Sequence, residues 1–145
     1  MTKSIHLSLD AMGGDYAPEI VVEGAAQSKI RHPNLKFSFF GNKEKIIPMI
    51  NSLKILRNSN VIHTNEIVHA NEKPSVAVRK GKNSSMGMAI QLVKSGNADA
   101  LVSAGNTGAL MAMTKLILRP MEGITRPAIA AYFPTIVGES CMLDL

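Results

Sequence analysis

Residues 99–110 read DALVSAGNTGAL, and this stretch decides the fold. The apolar residues 100–102 are typical of a buried strand, and residues 110–118 have the pattern of a helix. Between them, Gly105 and Gly108 permit a tight turn and the close approach of a ligand. The first N–H groups of a helix lack intrahelical partners and lie at the positive end of its dipole. The stretch therefore predicts a strand, a turn and a helix whose start can bind an anion.

The same turn also has a purely architectural interpretation. Glycines at a strand-to-helix junction often serve packing alone, and Asn106 or Thr107 can act as a simple helix N-cap. The turn matches neither common phosphate loop, because it lacks the GxGxxG spacing and the Gly-Lys-Ser/Thr ending. An anion site of another kind and a packing turn are therefore both open from these residues alone.

The composition is typical of a soluble globular protein. The chain has 145 residues, 46% hydrophobic and 19% charged, which suits one α/β domain over residues 1–145. No apolar run approaches the roughly 20 residues that cross a bilayer, and the N-terminus lacks a secretory signal pattern. We therefore expect a cytoplasmic protein. The single Cys141 can form no internal disulfide, and its apolar context predicts a buried structural thiol.

The chain is basic, with a formal net charge of +5 that favours acidic partners. Its densest basic group comprises Lys73, Arg79, Lys80 and Lys82. No aromatic residue lies among them, so stacking on nucleic acid is not predicted. The group is interpreted as a solvated face, with an acidic protein, a phosphate or an anionic lipid surface as the alternative.

Strands and helices alternate along the chain, which predicts a three-layer, Rossmann-like α/β/α fold with a mainly parallel sheet. Loops that follow parallel strands lie at one sheet edge, so residues 10–15 and 103–108 are expected to meet. The predicted strands are 5–11, 35–40, 60–63, 99–103 and 128–133. Five helices are predicted. Three of them span residues 19–30, 74–80 and 106–118. A fourth is capped at Gly41-Asn42 and ends near residue 50, and a fifth is capped by Ser84 or Ser85 and ends near residue 94.

The C-terminal end has no turn or cap. Residues 142–145 have the pattern of a buried strand, so the domain is expected to be truncated there and to leave a sheet edge uncovered. This predicts either oligomerisation or further sequence beyond residue 145.

The histidines and methionines are interpreted as structural residues. The four histidines are not spaced as a metal set, so the sequence predicts neither a metal nor a cofactor. The nine methionines are interpreted as flexible core residues, with the lining of an acyl-chain groove as the alternative. Among them are Met86, Met88, Met111 and Met113.

Four motifs occur in order and carry a resemblance to a known family. They are LDAMGGD at 9–15 followed by Ala17-Pro18, SSM at 84–86, SAGNTGAL at 103–110 and GITRPA at 123–128. The chain resembles the PlsX family of bacterial phosphate acyltransferases over essentially its whole length. Members are about twice as long, so the resemblance implies the N-terminal portion of a longer enzyme.

The resemblance implies an enzyme that transfers a fatty acyl group from acyl carrier protein to inorganic phosphate, for phospholipid synthesis. Phosphate, which is an anion, is then the nucleophile, so the protein must hold phosphate and stabilise the oxyanion that develops. Further implied partners are a second subunit and the inner membrane surface.

For this chemistry, the candidate catalytic residues are Asn106 and Asp10. The candidate phosphate ligands are Ser103, Gly105, Asn106, Thr107, Gly108 and Arg126. The candidate substrate contacts are Gly13, Gly14 and Ser85, and the candidate carrier contacts are Arg79, Lys80 and Lys82.

Several of these residues keep a structural alternative. Asp10 is favoured as the organiser of a hydrogen-bond network, and Asp15 as a structural residue. Ser85 can be a helix cap, and Arg126 can anchor a loop to a carboxylate instead of binding phosphate. The alternative function is a non-catalytic module for dimerisation or carrier binding. A nucleotide-linked dehydrogenase is a weaker third reading, because the dinucleotide fingerprint is absent.

Overall fold

The computed structural model describes residues 4–143. Its strands are β1 (Ile5–Asp10), β2 (Leu35–Gly41), β3 (Asn60–His63), β4 (Ala100–Val102), β5 (Ala130–Thr135) and β6 (Gly138–Leu143). Its helices are α1 (Glu19–Arg31), α2 (Lys43–Ser52), α3 (Pro74–Lys80), α4 (Ser85–Lys94) and α5 (Thr107–Ile117), with short 3-10 helices at Lys54–Leu56 and Gly81–Asn83.

Four strands form one parallel sheet in the order β3-β2-β1-β4. The prediction of a mainly parallel sheet with interleaved helices is confirmed, and the first four predicted strands agree with the structure to within two residues. Because all four strands are parallel, their carboxyl ends lie at one edge, where ligands bind in folds of this type. The loops after β1 and β4 are neighbours at that edge.

Helices α1 and α2 cover one face of the sheet. Alternate residues of β1 and β2 point to this face, and Leu9 and Phe39 pack there with Val22 of α1 and Ile46 of α2. All four side chains are buried. The predicted cap of α2 is confirmed, because Asn42 Oδ1 accepts hydrogen bonds from the N–H groups of the first helical turn, at 2.9 and 3.3 Å.

Helix α4 covers the opposite face, which carries small polar residues. Ser8 Oγ donates a hydrogen bond of 2.9 Å to the carbonyl of Ala89 in α4. Ser38 Oγ lies 2.9 Å from His6 Nε2, so this buried hydroxyl is also partnered. A second apolar core then joins α4 to α3 and α5, and its buried members are Val68, Ala77, Met86, Ile90, Ala109 and Met113. The predicted three-layer arrangement is therefore confirmed.

The start of α4 is fixed by Ser84. Its hydroxyl accepts a hydrogen bond from Gly87 N at 3.1 Å and donates one to the carbonyl of Gly81 at 2.6 Å. Ser84 is therefore the N-cap, and the interpretation of Ser85 as the cap is wrong. Ser85 is the first helical residue, where its own N–H donates to the carbonyl of Glu66 at 2.9 Å.

Strands β5 and β6 form an antiparallel hairpin separate from the main sheet. The strand predicted at 128–133 is found two residues later, and it does not join the parallel sheet. The expectation that residues 142–145 are a buried strand is wrong for residues 142 and 143, which are exposed, and Asp144 and Leu145 lie outside the described residues. The prediction of a buried Cys141 is also wrong, because its thiol is exposed. An alternating apolar pattern predicts a strand, but it does not determine which layer covers it.

Candidate anion-binding site

The loops that follow β1 and β4 meet at the carboxyl edge of the sheet. Ser103 Oγ, just after β4, donates a hydrogen bond of 2.7 Å to Oδ2 of Asp10, the last residue of β1. The two residues are 93 positions apart in the sequence. The prediction that these two loops meet is therefore confirmed.

Asp10 organises this junction from a buried position. The residue is 2% exposed, and its second carboxylate oxygen, Oδ1, accepts a hydrogen bond from Met12 N at 3.4 Å. The Ser103 hydroxyl in turn accepts from Gly105 N at 3.1 Å. A buried carboxylate needs such partners because an unpaired one is strongly destabilising. The contacts match the favoured role of Asp10 as a network organiser, and its catalytic role stays a prediction.

Gly13 is the position where the two loops touch most closely. A Cβ atom built there would lie 2.5 Å from Asp10 Oδ2, 2.9 Å from Ser103 Oγ and 3.0 Å from Gly105 N. No side chain can be accommodated at these distances without moving the network. Close packing therefore accounts for Gly13, and the assignment of Gly13 and Gly14 as substrate contacts stays a prediction.

Asn106 begins helix α5 and ties it to a third segment. Its Oδ1 accepts from Ala109 N at 2.9 Å, so Asn106 is the N-cap, as one of the two interpretations predicted. Its Nδ2 lies within hydrogen-bond distance of three carbonyl oxygens, those of Glu72 at 2.8 Å, Ala70 at 3.0 Å and His69 at 3.3 Å. The Asn106 side chain therefore holds the loop before α3 against the start of α5.

The backbone amides at the start of α5 are the groups left to bind an anion. In the described part of the chain, the N–H groups of Asn106, Thr107 and Gly108 have no hydrogen-bond acceptor. They lie at the positive end of an 11-residue helix. Phosphate oxygens accept hydrogen bonds from amides of this kind at helix N-termini. The turn predicted from residues 103–108 thus has the chemistry of an anion site.

The remaining candidate residues lie around this turn or away from it. Arg126 is exposed in the segment between α5 and β5. Ser85 is buried at the start of α4, next to Met86, whose methyl group would lie 3.3 Å from a Cβ built on Gly105. The basic residues Arg79, Lys80 and Lys82 are exposed at the end of α3 and in the 3-10 helix after it.

The loop at 69–72 was not predicted as part of the site. It is polar, has no regular secondary structure and contains no recognisable motif, so the sequence pattern gave no reason to place it there. In the structure, Pro74 at the start of α3 lies close to α5, since a Cβ built on Gly108 would lie 3.2 Å from Pro74 Cγ. The carbonyl groups of this loop become relevant only once α3 and α5 are packed together.

Fold and site together define the class of protein. This is an α/β protein in which a parallel sheet brings a buried carboxylate network beside a helix start with unpaired amides. A model of the family described as "Fatty acid synthesis protein" matches residues 5–145. The chain belongs to this family, and the predicted resemblance to the PlsX phosphate acyltransferases is confirmed.

Similar proteins agree with this assignment. The chain is 51% identical to a phosphate acyltransferase of Rhodospirillum centenum and 51% identical to one of Parvibaculum lavamentivorans, each over 100% of this chain. It is 48% identical to a phosphate acyltransferase of Brucella ovis over 97% of this chain. The chain spans about 41% of the length of each of these relatives.

Two features of the described residues bear on a membrane and on metal ions as partners. Within residues 4–143, no helix combines the length and the apolar character needed to span a membrane. The same residues contain no group of three or more His, Cys, Asp or Glu side chains that could hold a metal ion. His63 instead accepts a hydrogen bond at Nδ1 from Lys43 N at 3.2 Å.

Proposed function

We propose that the complete protein transfers a fatty acyl group from acyl carrier protein to inorganic phosphate, and that this chain supplies the phosphate site. The observation that carries the proposal is the set of three unpaired amides of Asn106, Thr107 and Gly108 beside the Asp10–Ser103 network. The names of the relatives, phosphate acyltransferases, support the acyl-to-phosphate part of this reaction.

The reaction requires little covalent chemistry from the protein. A phosphate oxygen attacks the thioester carbonyl carbon, a C–O bond forms, and the C–S bond breaks. The proton that hydrogen phosphate loses goes to the departing thiolate, which gives the carrier thiol. Binding phosphate at the amides orients this attack and removes the entropy cost of bringing two molecules together. Amides that remain free can stabilise the oxyanion that develops on the carbonyl oxygen.

In this proposal Asp10 acts through its neighbours. Its carboxylate would repel a phosphate dianion at close range, so we assign it no direct contact with phosphate. At its buried position it accepts a hydrogen bond from the Ser103 hydroxyl. Ser103 can then accept from Gly105 N, which fixes the turn ahead of the three amides. Asp10 and Ser103 are therefore positioning residues for the phosphate site.

The carrier protein is proposed to dock on the exposed basic residues at the end of α3. Arg79, Lys80 and Lys82 are close in sequence, and an acidic partner would be attracted to them. Arg126 is proposed as a further phosphate ligand once substrate is bound, and Gly14 and Ser85 as substrate contacts. We also propose a cytoplasmic homodimer that can associate with the inner membrane surface.

The full-length protein tests the reaction directly. Incubation with acyl carrier protein loaded with a long acyl chain and with inorganic phosphate is expected to give acyl phosphate, trapped as the hydroxamate. The product should require both substrates, and it should not form when sulfate replaces phosphate. The proposal fails if the acyl group remains on the carrier in the presence of saturating phosphate.

Asn106→Ala in the full-length protein is expected to lower both stability and turnover. The change removes the cap of α5 and leaves three carbonyls of the loop without their donor, so we expect the free energy of unfolding to fall by about 1–2 kcal/mol. Hydrogen exchange should become faster in residues 66–73 as the loop loosens.

Asn42→Ala is the matched control for this change. It removes the equivalent cap of α2, because Asn42 Oδ1 accepts hydrogen bonds from two backbone N–H groups in the same way. A similar loss of stability with normal turnover is expected, since Asn42 does not hold the loop at 69–72. Normal turnover in Asn106→Ala would instead remove this residue from the site.

A further inference from the structure

A groove lies on the outer surface between α4 and α5, away from the anion-binding turn. Its volume is about 620 Å³, within the roughly 300–1,000 Å³ range typical of small-molecule sites. The apolar part of its lining consists of Val78 of α3 and Met113, Leu116 and Ile117 of α5. Leu116 is 60% exposed, so the groove presents apolar surface that an apolar ligand would cover.

The rim of the groove is positively charged. Lys82 and Lys94 line it, both are exposed, and no carboxylate is among the lining residues. Within residues 4–143, neither lysine forms an ion pair. Gln91 Nε2 donates a hydrogen bond of 2.8 Å to the backbone carbonyl of Lys82, which fixes this part of the rim. An apolar floor below two unpaired cations is complementary to a ligand with an apolar body and an anionic head.

Met113 gives the floor of the groove the capacity to adapt. It is buried and lies against Gly81, where a built Cβ would be 3.1 Å from Met113 Cε. A thioether side chain is unbranched and has several low-energy rotamers, so it can follow the shape of a flexible chain. A rigid aromatic ligand would gain less from such a floor than an alkyl chain would.

We propose that the α4–α5 groove binds one long-chain fatty acyl anion, separately from the phosphate site. The alkyl chain lies along Met113, Leu116 and Ile117, and the anionic head pairs with Lys82 and Lys94. The choice of an acyl chain over other amphiphilic anions rests on the proposed function. The groove and its charges are observed in the structure and do not depend on that function. Occupancy of this site would not compete with phosphate, but it would engage Lys82, which also belongs to the proposed carrier-docking surface.

The test is equilibrium binding of oleate, below its micelle concentration, to the full-length protein, measured by calorimetry. One molecule is expected to bind per chain, and phosphate should not displace it. Leu116→Glu places a charge against the alkyl chain and is expected to weaken binding about tenfold or more. The double variant Lys82→Gln/Lys94→Gln should weaken oleate binding about tenfold and leave the binding of oleyl alcohol unchanged.

Matched controls separate the groove from general effects of charge. Met111→Glu changes an exposed methionine of α5 that does not line the groove, and Lys36→Gln/Lys54→Gln removes two exposed lysines elsewhere. Both are expected to bind oleate normally. Because the measurement needs no turnover, it gives a result whether or not acyl transfer is observed.

Four outcomes would overturn the inference. The first is absence of oleate binding by a folded full-length protein, as expected if the rest of that protein fills the groove. The second is equal binding by the Leu116→Glu and Met111→Glu variants. The third is a dimer that dissociates on Leu116→Glu and binds no oleate, which would assign the groove to a second copy of the chain. The fourth is binding to anionic vesicles without binding to monomeric oleate, which would contradict a site for a single acyl anion.

Discussion

Asp10→Asn in the full-length protein is expected to reduce the rate of acyl phosphate formation about 10- to 100-fold. The amide keeps the shape of the side chain but removes the negative charge that strengthens the 2.7 Å hydrogen bond from Ser103 Oγ to Asp10 Oδ2. Ser103 is then free to reorient, and its hydrogen bond with Gly105 N is weakened. The amides that follow in the turn lose their fixed direction, so phosphate binding should suffer along with turnover.

A double-mutant cycle makes this expectation specific to the network. Ser103→Ala removes the partner hydroxyl, and the double variant Asp10→Asn/Ser103→Ala removes both groups. If the two residues act as one unit, the double variant should be little worse than the more damaging single variant. Losses in turnover that simply add would show that Asp10 and Ser103 act independently, and the network interpretation would be wrong.

Gly87→Ala is expected to have the largest effect on stability. A Cβ atom at this position would lie 2.0 Å from the carbonyl oxygen of Gly81 and 2.7 Å from that of Lys82. Both obstacles are backbone atoms, so α4 itself must shift, and the Ser84 cap would be strained. We expect a loss of about 3 kcal/mol in the free energy of unfolding, measured by denaturant titration of the full-length protein.

Gly24→Ala provides the matched control, because Gly24 is also inside a helix. A Cβ atom there would meet nothing within 4 Å. Alanine has a higher helix propensity than glycine, so this change should be neutral or stabilising by up to about 1 kcal/mol. Equal effects of the two substitutions would show that α4 does not pack against Gly81 as described.

The parallel sheet could be predicted because its strands and loops carry local signals. The segments at β1, β2 and β4 combine short apolar runs with glycine or asparagine at their ends, and helices start at recognisable caps such as Asn42. The meeting of the loops after β1 and β4 follows from the rule that parallel strands end at one edge. This part of the site could therefore be anticipated from the sequence.

Other features depend on contacts that no local pattern encodes. The hairpin of β5 and β6 has the alternating apolar residues of a strand, but its exposure depends on which layers pack around it. Ser84 and Ser85 are adjacent serines, so the sequence alone favours neither as the cap. The hydrogen bond from Ser84 to the carbonyl of Gly81 identifies Ser84 as the cap. The loop at 69–72 joins the site through backbone carbonyls. Every residue has a backbone carbonyl, so the sequence could not predict the contact of this loop with Asn106.

The separation of Asp10 from Ser103 also has a consequence for protein synthesis. The two residues are 93 positions apart, and a ribosome adding roughly 5–20 residues per second would need about 5–20 s to reach the second. During that interval the carboxylate at the end of β1 has no hydroxyl partner, although β1 and β2 are already available to pair. Water must therefore hydrate the Asp10 carboxylate until β4 arrives, because a buried carboxylate without a partner is strongly destabilising.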